Sequence, residues 1–353
     1  MPNFNILRQS KPDKTFRVAS VIGKFDLQTE HIKEEFIGSI DLDNDWQVGI
    51  IVGASGTGKT TIAKELFPDA YVTDFEYSNQ SILDDMPQYC SVDDITRMFN
   101  SVGFSSPPSW LKPYSVLSNG QKMRVDLAHS LLKDDELIVF DEFTSVVDRN
   151  VAQIGSYAVQ KAIRKTKKKF IAVACHNDII DWLLPDWVFN TDSMTFQKLE
   201  GQKKNRPKIN FEIYKAGDKK IWGVFAKHHY LSHYHNNAST VYVAYINEQL
   251  AGFISIIHQP HPRVKNIRRI HRLVISPDFQ GIGLGVILTE FIGDKYLNDG
   301  YRYTITTSAP SLINYFKKNS KWICKKFGRS KGHATGDSSA RITSAWEYIN
   351  RQK

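Results

Sequence analysis

Residues 53–60 constrain this chain more than any other segment, because their spacing is that of a phosphate-binding loop. They read G-A-S-G-T-G-K-T, between an apolar run at 48–52 and a helical pattern at 61–67. Strand, glycine loop and helix place backbone N–H groups and the positive end of a helix around an anion. Lys59 is predicted to reach the β- and γ-phosphates of a nucleoside triphosphate, and the Thr60 hydroxyl to bind Mg²⁺. The nucleotide-binding residues predicted for this loop are Gly53, Ser55, Gly56, Thr57, Gly58, Lys59, Thr60 and Thr61.

The length of 353 residues exceeds that of one ordinary domain and predicts two. No apolar run reaches the about 18–20 residues that a membrane-spanning helix needs, and residues 1–5 lack the charged-then-apolar pattern of a secretion signal. The three cysteines, Cys90, Cys175 and Cys324, do not have a metal-binding spacing. They are typical of a reducing compartment, so the chain is expected to be cytoplasmic and to have no membrane partner.

Charge is distributed unevenly along the chain. Residues 201–353 hold 25 Lys and Arg against 9 Asp and Glu, whereas residues 1–200 hold 21 against 28. A difference of this size favours two domains with different partners, and the basic half is the candidate for binding a polyanion such as nucleic acid. The alternative is that the lysines of a generally basic protein only keep it in solution.

Two further motifs in the first half supply carboxylates and a second glycine-containing loop. Residues 136–140 have the pattern of an apolar strand, which ends at Asp141 and Glu142. A buried strand that delivers Asp141 to its carboxyl end places it beside the phosphate-binding loop, where it holds Mg²⁺ through water. Glu142 is then placed to orient and deprotonate the attacking water. The other motif, at 117–121, reads L-S-N-G-Q.

Taken together, these motifs resemble those of the ABC ATPase family, over about residues 16–200. Residues 117–121 are similar to its signature motif, with Asn119 in place of the first glycine of a pair. The resemblance implies that His176 is the switch histidine and makes Gln80 the candidate for the Q-loop glutamine. It also implies nucleotide contacts from Ser118, Gly120 and Gln121, and an Mg²⁺ site formed by Thr60, Gln80 and Asp141.

The ABC resemblance implies an assembly as well. In that family two such domains enclose ATP between the phosphate-binding loop of one and the signature motif of the other. This chain carries one set of motifs, so it is expected to form a homodimer through its ATPase domain.

Upstream of the loop, residues 16–25 and 36–42 both have strand patterns and are expected to form an antiparallel pair at one edge of a parallel core.

A polar, basic, proline-containing segment at 201–208 is predicted to be a linker, after which a second fold begins. From residue 211 the pattern predicts a strand, a helix at 221–232 and a strand pair that turns at Asn247 and Glu248. A long strand, a glycine loop with a helix, another strand, another helix and final strands follow. The loop at 280–285 reads Q-G-I-G-L-G and is again an anion site, but it lacks the Lys-Ser or Lys-Thr that a nucleoside triphosphate needs.

This second loop, together with the strand before it, closely resembles the Q/R-x-x-G-x-G/A motif of the GNAT N-acetyltransferases. In that family the backbone amides of the loop hold the pyrophosphate of acyl-coenzyme A. The order of predicted elements over residues 211–349 is similar to the GNAT order too. The resemblance implies acyl-CoA contacts from Val274, Ser276, Gln280, Gly281, Ile282, Gly283, Leu284 and Gly285.

GNAT chemistry is the direct transfer of an acyl group to an amine, which must be neutral to attack a thioester. Tyr315 lies where many members of the family keep the donor that protonates the leaving thiolate. A buried aromatic side chain is an equal alternative for Tyr315. Ser308, at the end of the preceding strand, is expected to face the same cleft.

Histidines are concentrated at residues 228–235. His229 and His233 are four residues apart, which is one face of a helix, so a metal site is conceivable, although no carboxylate or cysteine accompanies them. The His229–Tyr230 pair is similar to the Mom branch of GNAT proteins, phage enzymes that modify adenine in DNA. That resemblance implies that both residues shape the active site, with Arg272 as a cationic contact. A plain surface cluster of histidines is the alternative.

Two basic stretches, at 263–272 and 317–331, frame the second half. Cations for phosphates and rings for stacking an extruded base are what a base-modifying enzyme needs. The phosphates of acyl-CoA also require part of this charge. The aromatic residues that interleave with the second stretch are Tyr315, Phe316, Trp322 and Phe327.

The sequence therefore predicts an α/β chain with a P-loop ABC ATPase domain at 1–200, a basic linker at 201–208 and an α+β GNAT-fold domain at 209–353. The predicted function is ATP-dependent modification of nucleic acid, with DNA as the expected polymer and ATP, Mg²⁺ and an acyl-CoA as cofactors. Two alternatives stay open. One is a protein or small-molecule N-acetyltransferase with a regulatory ATPase half, and the other is a DNA-binding ATPase whose GNAT fold has lost catalysis.

Overall fold

The chain divides into two compact units in a computed structural model. The residues that it describes are 3–10, 15–26, 32–43, 45–72, 75–78, 80–199, 209–229, 234–329 and 342–350. The first compact unit comprises Met1–Phe75, Lys133–Val147 and Gln160–Pro207, and the second comprises Glu76–Leu132, Asp148–Val159 and Lys208–Lys353. The predicted linker at 201–208 lies outside the described residues, and the domain boundaries on either side of it stay a prediction.

The elements alternate between strands and helices along most of the chain. The strands are β1 Asn3–Ser10, β2 Ile32–Ser39, β3 Val48–Val52, β4 Leu137–Phe140, β5 Lys169–Ala174, β6 Trp187–Asn190, β7 Thr195–Lys198, β8 Phe211–Lys215, β9 Thr240–Ile246, β10 Gln249–His258, β11 Ile267–Ile275, β12 Arg302–Thr307, β13 Trp322–Arg329 and β14 Ile342–Tyr348. The helices are α1 Phe16–Phe25, α2 Lys59–Leu66, α3 Val92–Ser101, α4 Pro107–Trp110, α5 Asn119–Leu132, α6 Arg149–Ile163, α7 Ile179–Leu183, α8 Trp222–Ala226, α9 Leu284–Asn298 and α10 Pro310–Lys318.

The first compact unit is organised on a five-stranded sheet in the order β4-β5-β3-β6-β7. The first four of these strands run parallel, and β7 pairs antiparallel with β6. All five residues of β3 are buried, as expected for a parallel strand that is covered on both faces. The predicted strand, loop and helix around residues 53–60 are confirmed as β3 and α2.

A separate two-stranded sheet, β1-β2, packs on this core. Phe4 of β1 contacts Phe189 of β6 edge-on, with ring centroids 5.7 Å apart. The antiparallel pair expected upstream of the phosphate-binding loop is therefore present, but its first strand was assigned wrongly. It is formed by residues 3–10 rather than 16–25, and its second strand ends at Ser39 rather than at Leu42.

Residues 16–25 form the helix α1, because Thr15 caps them. The Thr15 hydroxyl accepts a hydrogen bond from the Val18 amide at 3.3 Å, which satisfies one of the free donors of the first turn. Val18 and Ile22, four residues apart, are half-buried, while Phe16 and Phe25 are exposed. The alternation that resembled a strand is thus the narrow apolar stripe of a helix.

The second compact unit contains a seven-stranded sheet in the order β13-β14-β12-β11-β10-β9-β8. Every neighbouring pair is antiparallel except β11 and β12, which run parallel. The predicted hairpin turn is confirmed: Asn247 and Glu248 both have positive φ, at 47° and 65°, as a tight turn between β9 and β10 requires. Helices α9 and α10 pack against this sheet and share a buried cluster with it.

The helix expected at 221–232 is wrong in extent, because α8 ends at Ala226. Trp222 and Phe225 anchor α8 in a buried cluster, and the chain then turns with the His229 amide donating to the Ala226 carbonyl at 3.1 Å. His228 and His229 therefore lie beyond the helix, and residues 230–233 lie outside the described residues. The helical spacing that made a His229–His233 metal pair conceivable does not hold at His229.

Among the described residues, no helix combines the length and the apolar character needed to cross a membrane.

Candidate functional site

Three predicted site residues leave the same edge of the five-stranded sheet. The phosphate-binding loop follows β3, Asp141 follows β4, and His176 follows β5, which lies between them. Because these strands are parallel, their carboxyl ends meet at one edge, where ligands of open α/β sheets bind. Glu142 and His176 are both solvent-accessible at that edge.

The glycines of the phosphate-binding loop take conformations that other residues avoid. Gly56 and Gly58 have φ values of 86° and 84°, in the left-handed region. At Gly58 a Cβ atom would lie 2.5 Å from the Phe36 ring. Gly53 is equally confined, because a Cβ there would lie 2.2 Å from the Thr191 hydroxyl. The aromatic of β2 and the turn after β6 thus shape the loop around an anion.

The loop brings together residues of the predicted Mg²⁺ site. The Thr60 hydroxyl donates to Asp141 Oδ2 at 2.8 Å. The Lys59 ammonium reaches the Ala54 carbonyl at 2.5 Å, inside the loop. A hydroxyl and a carboxylate side by side fit Mg²⁺, which takes one or two carboxylates and completes its shell with phosphate and water oxygens. Tyr71, which the sequence did not single out, also donates to Asp141 Oδ2.

Glu142 is held in a backbone conformation that is rare outside glycine, with φ at 48°. Its amide donates to Asp141 Oδ1 at 2.8 Å, and the Ser145 hydroxyl donates to its carbonyl at 2.8 Å. Such strained positions persist where surrounding bonds determine them, and they cluster at functional sites. Here they keep the exposed Glu142 beside the carboxylate of the Mg²⁺ set.

The signature-like segment at 117–121 forms the start of α5, in the second compact unit. The Ser118 amide donates to Gln121 Oε1 at 3.2 Å, and the Gln121 amide donates to the Ser118 hydroxyl at 3.4 Å. This reciprocal pair is a capping box, which satisfies two amide donors at the start of the helix. Asn119 is exposed, whereas Gly120 is buried against Val151, whose Cγ1 would lie 2.9 Å from a Cβ at Gly120.

Gln80, the third predicted Mg²⁺ ligand, belongs to the second compact unit, where its side chain is exposed. Its amide donates to the Ser78 hydroxyl at 3.3 Å. Of the predicted Mg²⁺ set, Thr60 and Asp141 are joined directly, and the role of Gln80 stays a prediction.

The second glycine loop lies where two parallel strands separate. β11 and β12 pair only between residues 267–269 and 302–304, and a bulge interrupts the pairing of β11 with β10. Gly281 and Gly283 have φ values of 89° and 94°. The side chains of Ile282 and Leu284 belong to one buried core cluster and so anchor the loop to the core. The loop leads into the start of α9, where no side chain caps the helix, and backbone amides at such a helix start are suited to an anion.

The remaining predicted acyl-CoA residues have defined structural partners. Val274 is buried in the cluster that also contains Trp222 and Phe225, and the Ser276 amide donates to the Ala251 carbonyl at 2.8 Å. Gln280 uses its amide group within the protein, because its Nε2 donates to the Ile275 carbonyl at 2.9 Å. Because the Val274 side chain is buried, any contact from Val274 to acyl-CoA would come from its backbone.

Tyr315, the predicted proton donor, has committed its hydroxyl proton. It donates to Glu290 Oε1 at 2.8 Å and accepts from the Asn319 amide at 2.5 Å. Burial and Glu290 raise the pKa of Tyr315 to about 12. Lys321 and Trp322 also bind Glu290, at 3.0 and 3.2 Å, so the phenol belongs to a structural network. Its catalytic role, like that of Ser308, stays a prediction.

A group of aromatic and imidazole rings surrounds the bulge of β11 on the α8 face of the sheet. His235 stacks on Trp222 at 5.4 Å and lies 5.7 Å from His271. The Asn236 amide donates to His271 Nε2 at 3.2 Å, so the neutral ring carries its proton on Nδ1. The Ser255 hydroxyl is fully buried in this sheet and has no hydrogen-bond partner among the described residues.

Neither His271 nor Ser255 was singled out by the sequence, in which both lie within ordinary strand patterns. The strand pattern in the sequence does not predict the bulge. His271 lies at the bulge, with its ring near that of His235. His229, which the sequence did propose, is buried nearby against Trp222, with ring centroids 5.7 Å apart. Groups of His, Cys, Asp and Glu that could hold a metal ion are absent from the described parts of the chain.

The pH dependence of stability should report the His271 environment. Burial, together with the charges of Arg272 and Arg269, lowers the pKa of His271 to about 4, from an ordinary value near 6.5. As the pH falls below 6.5, the unfolded chain binds this proton before the folded chain does, so stability is lost progressively down to about pH 4. In His271→Gln, which keeps an acceptor for the Asn236 amide, urea unfolding should depend less on pH in that window. An unchanged pH dependence would contradict the assignment.

In a comparison with known protein families, part of the chain matches one family model. Residues 208–319 match the model of the acetyltransferase (GNAT) family. The match runs from the residues before β8 to the end of α10 and includes the second glycine loop.

The similarities to individual curated proteins concern short segments. The chain is 39% identical to the energy-coupling factor transporter ATP-binding protein EcfA of Aster yellows witches'-broom phytoplasma over 66 residues, which are 19% of this chain and 23% of that protein. It is 31% identical to NU+ prion formation protein 1 of Saccharomyces cerevisiae over 101 residues, which are 28% of this chain and 8% of that protein. The chain thus spans less than a quarter of either relative.

A dimeric bacterial ABC transporter cassette is similar in structure, with a TM-score of 0.40 and 14% identity, over 56% of this chain and 98% of the cassette. The fold assignment rests on the strand order and loop geometry described above. Residues 208–319 therefore match the acetyltransferase (GNAT) model, in the same polypeptide as the glycine loop and the carboxylates at the edge of the five-stranded sheet.

Proposed function

We propose that this protein hydrolyses ATP through its ABC-like part and transfers an acyl group from acyl-CoA to nucleic acid through its GNAT region. The observation that carries the ATPase half is the bond between Thr60 and Asp141 at the edge that also bears Glu142 and His176. Mg²⁺, when bound there, would neutralise charge on the phosphates. Lys59 binds the β- and γ-phosphates, Glu142 takes the proton of the attacking water, and His176 contacts the γ-phosphate.

A homodimer completes the ATP site in this proposal. Ser118, Gly120 and Gln121 lie at the start of α5, whose positive dipole end suits the γ-phosphate held by a second copy. The capping box keeps that end rigid before nucleotide arrives, so little ordering is needed on binding.

The acyl transfer would take place where β11 and β12 separate. The amine nitrogen attacks the thioester carbon, the carbon–sulfur bond breaks, and the coenzyme A thiolate takes up a proton. The amine must be neutral, and the field of Arg272 beside the neutral rings of His235 and His271 disfavours an ammonium ion there. Acceptors with weakly basic amines, such as the exocyclic amines of nucleobases, suit this environment.

Charge supports nucleic acid as the acceptor, with DNA as the expected polymer. The excess of Lys and Arg after residue 200 provides contacts to phosphates. Lys317 lies over the Phe327 ring at 4.8 Å, and Arg268 lies over Tyr301 at 4.5 Å, which combines cations with stacking surfaces. The finer assignment that we propose is the Mom-like branch, in which His229 and Tyr230 line the acceptor site. Tyr230 lies outside the described residues.

Mass spectrometry of nucleosides tests this function directly. DNA and RNA from cells that express the wild-type chain should contain an acyl-modified nucleoside, and cells that express Glu142→Gln should contain much less. Purified protein should hydrolyse ATP faster when DNA is added. An unchanged nucleoside profile in every host, with acyl groups found instead on proteins or metabolites, would refute the nucleic-acid assignment.

A further inference from the structure

The helical segment that follows the phosphate-binding domain shares a compact unit with the acetyltransferase region. Residues 76–132 and 148–159 belong to the same unit as residues 208–353. Ile154 of α6 is fully buried in one cluster with Ile282 and Leu284 of the second glycine loop. The signature-bearing helices and the acyl-CoA loop therefore have a common core.

The closest approach joins two glycines, one from each region. Gly103, after α3, and Gly281 both have left-handed φ values, at 86° and 89°. A Cβ at Gly281 would lie 2.8 Å from the Gly103 Cα, and a Cβ at Gly103 would lie 2.6 Å from the Gln280 carbonyl oxygen. The backbones touch without room for a side chain on either, so neither segment can shift sideways past the other.

A hydrogen bond from the side chain of the loop fixes the same contact. Gln280 Oε1 accepts from the Ser105 amide at 2.7 Å, while its Nε2 donates to the Ile275 carbonyl at 2.9 Å. Gln280 is the first residue of the motif that the family resemblance assigns to acyl-CoA. In this protein its amide joins the loop to the helical segment and to β11.

Arg124 connects the signature motif to the turn before the acyl-CoA loop. It lies on α5 and is fully buried. Its Nη1 donates to the Gly120 carbonyl at 3.3 Å, and its Nη2 donates to the Asp278 carbonyl at 2.9 Å. Asp278 also reaches back, because its Oδ1 would lie 3.6 Å from a Cβ at Gly120. One guanidinium thus holds both anion-binding turns.

Burying the Arg124 cation at this position costs free energy, because the charge is removed from water. Burial lowers the pKa of Arg124 to about 10, and the charges of Asp278 and Asp148 oppose that shift. The side chain therefore stays protonated at neutral pH, in surroundings where solvent screens its charge weakly. The same α5 could bury an apolar side chain at less expense, as buried ion pairs often can be replaced.

We propose that Arg124 is a positioning residue that couples nucleotide binding at the signature motif to acyl-CoA binding at the second glycine loop. This inference rests on the proposed function, since it needs ATP at Ser118–Gly120 of the dimer and acyl-CoA at 281–285. An anion at either turn orders the carbonyl that Arg124 binds there. The second anion then meets a turn that is already ordered, so each ligand tightens the binding of the other.

The magnitude follows from thermodynamic linkage. Coupling between two sites in one protein is commonly between about fivefold and 150-fold, and it must be equal in both directions. We expect that ATP tightens coenzyme A binding by about tenfold, and that coenzyme A tightens ATP binding by the same factor.

Calorimetric titration of the full chain tests the coupling. The background is Glu142→Gln, which holds ATP without hydrolysing it, and the probe is coenzyme A, which carries the diphosphate common to every acyl-CoA. Coenzyme A is titrated with and without ATP–Mg²⁺, and ATP–Mg²⁺ with and without coenzyme A. Equal affinities in the two states, or weaker binding in the presence of the other ligand, would each overturn the proposal. Equality of the factors in the two directions checks that the titrations are at equilibrium.

Two variants then localise the coupling. Arg124→Lys keeps the charge but loses the fork that reaches both carbonyls. We expect that the coupling factor of this variant falls toward one; because the factor is a ratio of two affinities of the same variant, it is read independently of its affinity for coenzyme A without ATP. Asn247→Gly is the matched control, since Asn247 joins the same regions through Asn150 and Gln153, at 2.9 and 3.0 Å, without touching either turn.

The outcomes separate this inference from the proposed function. Full coupling in Arg124→Lys, or its loss in Asn247→Gly, would refute the role of Arg124 while leaving the two binding activities intact. If Arg124→Lys does not fold, the reciprocal titrations in the parent protein still decide whether coupling exists. Failure of coenzyme A to bind in either nucleotide state would refute the acyltransferase assignment itself.

Discussion

Glu142→Gln is expected to reduce ATP hydrolysis by about 10²- to 10⁴-fold, the usual contribution of a positioned general base. Glutamine keeps the size of the side chain and can still orient water, but it cannot accept the proton. Binding of ATP should be preserved, since the hydrogen bonds of the Glu142 backbone to Asp141 and Ser145 do not involve the Glu142 side chain. The measurement is phosphate release at saturating ATP, alongside nucleotide affinity.

The same variant should reveal the dimer. With hydrolysis blocked, two copies that enclose ATP would persist, so the mass in size-exclusion chromatography with light scattering should double when ATP–Mg²⁺ is added. Glu65→Gln, an exposed carboxylate on α2, is the control and should hydrolyse ATP at the wild-type rate. Wild-type hydrolysis in Glu142→Gln would assign the base to another residue.

Gly281→Ala is expected to destabilise the second compact unit by about 2–5 kcal/mol, combining the left-handed backbone cost with overpacking. The new methyl group would meet the Ala158 Cβ and the Gly103 Cα, both at 2.8 Å. Neither contact is the far end of a flexible side chain, so the clash cannot be relieved by a change of rotamer. For a unit of this size the midpoint of thermal unfolding should fall by about 5–15 °C.

Gly285→Ala provides the matched comparison within the same loop. A Cβ at Gly285 would lie 3.6 Å from Ile275, which is ordinary van der Waals contact. Because Gly285 is in the first turn of α9, alanine there should leave the unfolding midpoint unchanged or raise it slightly. Equal midpoints for Gly281→Ala and Gly285→Ala would show that the Gly103–Gly281 contact is looser than described.

The local patterns that the sequence predicted best are those in which chemistry and backbone conformation coincide. The G-x-x-x-x-G-K-T spacing required a strand, a turn with left-handed glycines and a helix, and all three are present around Lys59. The hairpin at Asn247 and Glu248 was predicted from the two strand patterns that meet there, and both residues have the positive φ of a tight turn. Short-range sterics determine such features, so they can be predicted from the sequence.

Features that depend on capping or packing were predicted less well. The pattern in residues 16–25 suited a strand or a helix, and it forms a helix that Thr15 caps, with Val18 and Ile22 half-buried. The helix expected to reach Ser232 ends at Ala226, because burial of Trp222 and Phe225 anchors only its first turn. The periodicity of apolar residues alone predicts neither the helix at 16–25 nor the end of α8 at Ala226.

The sequence by itself determined that this chain has two glycine loops that each open a helix, one with Lys59 and Thr60 and one at 280–285 without such a pair. It also supplied Asp141 and Glu142, because a strand that ends in two carboxylates delivers them to the sheet edge. Only the tertiary structure decided that Gln280 bonds to Ser105 and that Arg124 joins Gly120 to Asp278. These contacts connect residues more than 150 positions apart, and long-range pairing follows from packing of the whole unit rather than from any local pattern.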